Sequence, residues 1–362
     1  MYLRGRPAEA LAAWEGYKGA SIRSTKPVGA TAAALPGNTT LISYALLKGS
    51  IIAFVLRDGK VQVHTLSLPP DFDPNVSHFL NLCSDPSSDI SQLNTAGRQL
   101  YRILIAPVEA DIRGATALTV ETDGVIDQVP FNLLQASDGH YLGDKFEITF
   151  SQGMSYRPTS RTSLAGLSPE SAALVVVASG AADSSLPVLP GADQEGTEVA
   201  SLFHNAVLIH GHEVTRAEVL AQLHDARLLH FAGHAFAGFN RVGLALGPAS
   251  LLSSHDVATL GLHNLKLAVL SACDTANGDE GTSADGDSLA RTLVAAGVPN
   301  VVASRWRVDS NVTRQLMRVF YSNLLSGKNP AESLHAARAV IRSIPTYQHP
   351  YYWASFAVFG TS

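Results

Sequence analysis

From residue 172 onward, short apolar runs rich in β-branched residues alternate with stretches carrying helix signals, and this alternation limits the possible folds more than any other feature. The first run, "AALVVVAS" (172–179), lacks the polar alternation of a half-exposed strand and suits one buried on both faces. Thr215-Arg-Ala-Glu218 has the spacing of a capping box and opens the helix "RAEVLAQLHDA". The strand "RLLHFAG", a short helix after Ser253-Ser254, the strand "LKLAVLSAC", the helix "SLARTLVAAG" and the strand "NVVASRW" come next in order. Asn329-Pro330 starts another helix, since asparagine caps and proline fits a first turn, while Gly327 ends the helix before it. "YYWASFAVFG" closes the chain with a strand. The pattern predicts an α/β fold, a mostly parallel sheet flanked by helices on both faces.

With 362 residues the chain exceeds one ordinary core and fits two domains. Upstream, residues 41–68 give three β-rich runs broken at Lys48-Gly49-Ser50 and Asp58-Gly59-Lys60, the chemistry of hairpin turns. Residues 88–106 read as a helix, and 117–134 as a strand, a turn at Asp123-Gly124 and a short second strand. Pro7–Trp14 reads as a helix with Leu11 and Trp14 on one face, detached from the β-rich runs by a Pro/Gly-rich linker at 27–36. A second boundary falls in the Ser/Thr/Pro/Gly-rich stretch 157–171. The expected organisation is therefore a leading helix and linker (1–34), a smaller N-terminal α/β domain (35–160) and the parallel-sheet domain (161–362).

Composition excludes several classes of function. The net charge is -5 and the basic residues form no cluster, so neither nucleic acid nor an anionic membrane surface is an expected partner. No run approaches the roughly 20 apolar residues of a membrane span. Cys83 and Cys273 stand far apart, which rules out a disulfide framework and points to a reducing compartment. The first 20 residues lack a signal peptide's apolar core, and a cytoplasmic location is expected.

In open parallel sheets, functional side chains gather at the carboxyl ends of strands. His234 stands just past one such run and Cys273 ends another, so neighbouring parallel strands would put a base beside a nucleophile. A free thiol has a pKa of about 8.5, and a nearby histidine favours the reactive thiolate. Backbone N–H groups at Ala235 and Cys273 would then be the natural oxyanion donors. Taken singly, His234 reads as a solvated strand-end residue and Cys273 as a small buried hydrophobe, as Cys83 does. His230 lies deep in its run and reads as structural, hydrogen-bonding beneath the site. A metal centre of His230, His234 and Cys273 lacks a fourth ligand, so neither metal nor cofactor is expected.

The segments "LLHFAGHA", "LAVLSACDTANG" and "SLARTLVAAGVPNVVASRWRVD" resemble the CHAT family of caspase-like cysteine peptidases, relatives of caspases and separase. "LISYALLKGSIIAFVL", "LPVLPGADQEGTEVASLF" and "HPYYWASFAVFG" resemble other landmarks of that family, so the resemblance runs from about residue 38 to the end. It implies a caspase-like three-layer fold preceded by a non-catalytic pseudo-protease domain, with the catalytic histidine at His234 and the nucleophile at Cys273. The implied reaction is cleavage of a protein substrate through a thioacyl-enzyme. One departure is Ala235, where the family usually carries glycine; it motivates an alternative, a catalytically silent regulatory or scaffolding module. Asp274, Arg305, Arg307 and Asp309 are candidate substrate-pocket residues, against the plainer readings that Asp274 accepts loop amide hydrogen bonds and that the arginines pair with Asp309 or face solvent. The Gly- and Asp-rich segment 274–288 reads as a loop able to gate the site and does not match calcium-loop spacing. Tetratricopeptide repeats upstream in the family make residues 1–20 look like the tail of such a region, imply a regulatory protein partner, and carry an expectation of bacterial origin.

Overall fold

The structure, a computed structural model, describes residues 5–21, 35, 38–153, 167–178, 188–211, 214–238, 241–246, 250–274, 284–307 and 309–360. The chain divides into two compact units, Met1–Arg157 and Pro158–Gly360, with Thr361–Ser362 grouped with the first. The expected linker at 27–36 lies, Leu35 apart, outside the described residues, as does most of the second boundary.

The first unit opens with α1 (Pro7–Ser21), followed by the antiparallel meander β1 (Thr39–Leu47), β2 (Ser50–Arg57) and β3 (Lys60–Ser67). Asp58 and Gly59 both take positive φ, +50° and +73°, the left-handed pair that a two-residue hairpin turn requires. The helices α2 (Phe72–Ser84), α3 (Ile90–Leu104) and the single-turn α4 (Glu109–Ile112) come next. β4 (Ala117–Glu121), the short α5 (Leu142–Lys145) and β5 (Glu147–Ser151) complete the unit, giving the strand order β3-β2-β1-β4-β5 with β1, β4 and β5 parallel.

Both faces of this sheet are covered. Ala10, Leu11 and Trp14 of α1 pack on Ala45, Ile52, Phe54, Val61 and Val63, so the leading helix is docked on the meander rather than detached. On the other face Tyr44 donates its hydroxyl to the Leu104 carbonyl at the end of α3, 2.8 Å away. The expected second strand within 117–134 is instead two 3₁₀ turns, Gly124–Gln128 and Phe131–Leu133. Pro130 removes an amide that a strand would need there.

The second unit runs β6 (Ala172–Ala178), α6 (Pro190–Ala200), β7 (Asn205–His210), α7 (Arg216–Leu223), β8 (Leu228–Gly238), β9 (Arg241–Ala245), β10 (Leu251–Ser253) and α8 (Ser254–Ala258). It continues through β11 (Leu267–Asp274), α9 (Ala284–Ala295), β12 (Asn300–Ser304), α10 (Ser310–Leu325), α11 (Pro330–Arg342), α12 (Pro350–Trp353) and β13 (Phe356–Gly360). The strand order is β7-β6-β8-β11-β12-β13, all parallel except β13. β9 and β10 add an antiparallel extension to the far end of β8. Six of the seven residues of β6 are buried, as its unalternated apolar run requires.

Local chemistry sets the helix ends. Asn329 accepts from the Glu332 amide while Glu332 reaches back to the Asn329 amide, and Gly327 at φ +98° terminates the helix before. The Thr215 hydroxyl accepts from the Glu218 amide at 3.2 Å, starting α7 as its spacing predicts. Gly196 allows α6 to lie directly on β6, because a Cβ there would stand 2.0 Å from a methyl of Val177. No helix among the described residues is long and apolar enough to cross a membrane.

α1 is held by charge as well as by apolar packing. Lys18 forms ion pairs with Glu15 and with Glu121 of β4 and donates to the Ser43 hydroxyl at 3.0 Å, all of these groups being buried. Burial and the neighbouring Glu121 push the Glu15 carboxyl up to about 7 against the pull of Lys18. Glu121 is pushed up by burial too, but Lys18 outweighs this and holds it below the usual carboxylate range. A carboxyl raised in the folded state stabilises docking below its ordinary pKa and loses that contribution as pH rises through about 7. Amide exchange in α1, corrected for intrinsic rates, should therefore quicken between pH 6 and pH 8, and Glu15→Gln should flatten the dependence. Equal protection at both pH values would refute the assignment.

Candidate active site

The chain leaves β6 outward to β7, returns on the other side of β6 as β8, and continues to β11 and β12. The direction of winding thus reverses between β6 and β8, and in open α/β sheets the crevice beyond the strand carboxyl ends at such a switch point is where ligands bind. The last rung between β6 and β8 is Ala178↔Gly233, so His234 is the first residue of β8 beyond it. β8 and β11 are parallel neighbours, and Cys273 is the register partner of His234.

β8 does not end at His234, as its apolar run suggests. It continues to Gly238 because residues 235–238 pair antiparallel with β9. Ala235 consequently sits in extended backbone between Asp274 of β11 and Leu244 of β9 rather than at a strand-to-loop turn. Asp58 is the one non-glycine residue with positive φ among those described, so replacing the usual glycine by Ala235 strains nothing here.

His234 is 1% exposed and His230 wholly buried. Four residues apart in one strand, they share a face of the sheet. The His230 ring is clasped by the helices on that face: Nδ1 lies 2.9 Å from the Tyr321 hydroxyl of α10, and Nε2 lies 3.2 Å from the Glu195 carboxylate of α6. Burial, and then the nearby Glu195, push the Tyr321 hydroxyl well above its ordinary pKa, so it stays protonated. Because it keeps its proton, the Tyr321 hydroxyl can donate to Nδ1, while Nε2 faces Glu195. His230 therefore anchors β8 beneath the site, the structural role read from its position.

Two residues that the sequence did not single out bear on Cys273. Ser304, at the end of β12, donates its hydroxyl to the Ala272 carbonyl at 2.6 Å. A hydrogen bond accepted there polarises the peptide whose N–H belongs to Cys273. Gly233 is the other: a Cβ would stand 2.9 Å from both the Ala178 carbonyl oxygen and the Phe231 ring, so only glycine lets β6 and β8 meet just before His234. Cys83 is buried in α2, and burial raises its thiol well above the ordinary range, which makes it an inert hydrophobe.

The pocket candidates are dispersed. Arg305 is 4% exposed, its guanidinium 5.6 Å from the centre of the Phe359 ring, so it is held in the interior rather than presented to solvent. Arg338 lies close by, its pKa lowered to about 10 by burial and by the charge of Arg305. Arg307 is exposed. Asp309 caps α10, its carboxylate accepting from the Asn311 and Val312 amides at 2.9 and 3.1 Å. Asp274 pairs with Ala235 at the last rung of β8 and β11. Within the expected gating loop 274–288, α9 already begins at Ala284, and residues 275–283 lie outside the described residues.

A parallel sheet of this order between helical layers, with histidine and cysteine in register at its switch point, defines a caspase-like α/β protein. The structure matches chains of the Saccharomyces cerevisiae separase–securin complex in two crystal structures, with TM-scores of 0.61 and 0.59 at 10% and 11% identity, over 90% of this chain and 30% of those. The CHAT domain family matches residues 94–361, and the chain belongs to that family. Among curated proteins it is similar to tetratricopeptide repeat protein 28 of Mus musculus and of Homo sapiens, 27% and 26% identical over 324 residues. These alignments cover 73% of this chain but 13% of each relative.

Gly233→Ala tests the close approach. The added methyl should cost about 1–3 kcal/mol by overpacking, visible as a lowered denaturation midpoint. Unchanged stability would mean that β6 and β8 have room there.

Proposed function

We propose that this chain is a cysteine endopeptidase that cleaves a protein partner, with Cys273 as nucleophile and His234 as general base and acid. The observation that carries this reading is the register pairing of His234 with Cys273 on adjacent parallel strands at the switch point. In-register residues on neighbouring parallel strands belong to the same face of a sheet, the placement that a base and its nucleophile require.

In the proposed reaction His234 takes the thiol proton and the Cys273 sulfur attacks the scissile carbonyl carbon. The oxyanion is held by the backbone N–H of Cys273, whose peptide Ser304 polarises, while Ala235, flanked by β11 and β9, would have to turn its amide out of the sheet to serve as the second donor. Collapse breaks the C–N bond, and the departing amine takes its proton from His234, leaving a thioester. Water then gives a proton to His234 as it attacks the thioester, releasing the acid and restoring the thiol. The reducing, cytoplasmic setting expected from the two distant cysteines suits a nucleophile that must remain a thiol.

The burial of His234 adds a condition. At 1% exposure the ring is out of reach of a substrate backbone, so catalysis needs a rearrangement that uncovers it. A regulatory protein partner fits that need, and the similarity to tetratricopeptide repeat protein 28 suggests helical repeats as its form. Asp274, Arg305, Arg307 and Asp309 remain pocket candidates only for the uncovered state, and Arg305 would have to leave Phe359 to take part. The same burial favours a second reading, a caspase-like regulatory module that turns over nothing.

Incubating wild type, Cys273→Ala and His234→Ala with a cell lysate and mapping new peptide N-termini by mass spectrometry separates the two readings. The peptidase reading expects termini that appear with wild type alone and fall at least a hundredfold in either variant. Identical patterns, together with equal labelling of wild type and Cys273→Ala by a thiol-reactive peptide, would establish the silent module.

A further inference from the structure

We propose that the cavity between α6 and α10 binds a small organic cation with an apolar body, an alkyl or aryl ammonium, and that β8 senses the occupant through His230. The cavity measures 640 Å³, within the range of small-molecule sites. Val199 and Leu202 from the α6 side and Met317 and Leu325 from α10 supply apolar walls, and Glu195 and Tyr321 also line it.

The charge of the site selects the ligand. Glu195 is 2% exposed, and its Oε1 lies 3.2 Å from His230 Nε2 without forming an aligned hydrogen bond. That oxygen has no hydrogen-bond partner among the described residues, which leaves its lone pairs open to a donor from the cavity. A charge buried this way acts through a low dielectric and draws a cation strongly. The arginines nearby do not reverse that preference. Arg314 is neutralised by Glu198 at 2.6 Å, and Arg318 is exposed, where ions screen it within about 10 Å. The Tyr321 ring adds an aromatic face that also favours cations.

The occupant would also be felt at the site. Glu195 and Tyr321 are the two groups that hold His230, and His230 stands four residues before His234 in β8. An ammonium drawing Glu195 away from Nε2 changes the anchoring of the strand that carries His234. Binding itself is independent of the peptidase reading; only the functional meaning of the link rests on it.

The chain has 3 methionines, Met1, Met154 and Met317, so methyl-labelled methionine gives a sparse NMR spectrum in which Met317 reports the cavity. Met317→Leu identifies its signal. The probes are hexylammonium, 1-hexanol and hexanoate, each of six carbons and different in head charge. Saturable shifts of the Met317 methyl should be at least tenfold tighter for hexylammonium than for the other two, and Glu195→Gln should bring the three within threefold. If Glu195→Gln does not fold, Leu202→Trp, which fills the cavity from its wall, should abolish binding. Equal or tighter binding of hexanoate or hexanol, no saturation at tens of millimolar, or full binding to Leu202→Trp would each overturn the site. The coupling is read from the His234 ring protons, which should move at saturation in wild type and stay still in His230→Leu, which removes the nitrogen that Glu195 faces. Binding without that movement overturns the coupling alone, while a failure of the peptidase reading appears in the lysate comparison and leaves these shifts unchanged.

Discussion

The parallel pairing of β8 with β11 is the constraint on which the rest of the second unit depends. Eight rungs run from Leu228↔Leu267 to Asp274↔Ala235. Strand side chains alternate with a period of two, so slipping this register by one residue would send every inward group of one strand to the opposite face. His234 would lose Cys273 as its partner, and β8 would present His230 to the face away from Glu195 and Tyr321. Hydrophobic burial alone does not forbid the slip, because Leu228, Leu229 and Phe231 are apolar whichever way they point.

Specific contacts supply the missing discrimination. Gly233 admits the Ala178 carbonyl at a distance no other residue tolerates, which fixes β6 against β8 at one rung. Ser304 ties β12 to the Ala272 carbonyl, which fixes β11 against β12 one residue before Cys273. His230 must meet a hydroxyl from α10 and a carboxylate from α6, and those three groups converge in one register. Each device costs desolvation or conformational freedom, and leaving any one partner unmatched in the core costs about 1–3 kcal/mol. All three lie within a few residues of His234 or Cys273, where the proposed chemistry tolerates the least displacement.

The legibility of this chain tracks the range of the forces involved. β6, β8 and β11 are visible because burial on both faces leaves an unbroken apolar run, and the meander is visible because Asp58-Gly59 encodes its own turn. α2 is hard to read from the sequence although Phe72, Val76, Phe79 and Cys83 form its buried stripe, since Pro74 and several polar residues lie between them. β7 was hidden by exposure, with one buried residue in six. The extension of β8 past His234 depends on β9, and the docking of α1 depends on Glu121, 103 residues beyond Lys18. At the site, the pairing of His234 with Cys273 could be read from two strand ends, whereas Tyr321 and Glu195 gave no sign of meeting His230. No periodicity links a strand to a tyrosine 91 residues later.

Burial of His234 sets two requirements of the proposed chemistry against each other. A thiolate–imidazolium pair gains from exclusion of water, since low dielectric strengthens the attraction between its members. A protein substrate must nevertheless lay its backbone within about 3–3.5 Å of the sulfur. At 1% exposure the ring satisfies the first requirement and not the second, so under the proposed chemistry access to the pair becomes the step open to control. Control by access needs an element that can shift β8 or its surroundings, and the groups best placed to do so are those that hold His230 from α6 and α10. On that reading the anchor under β8 is where an outside signal would enter.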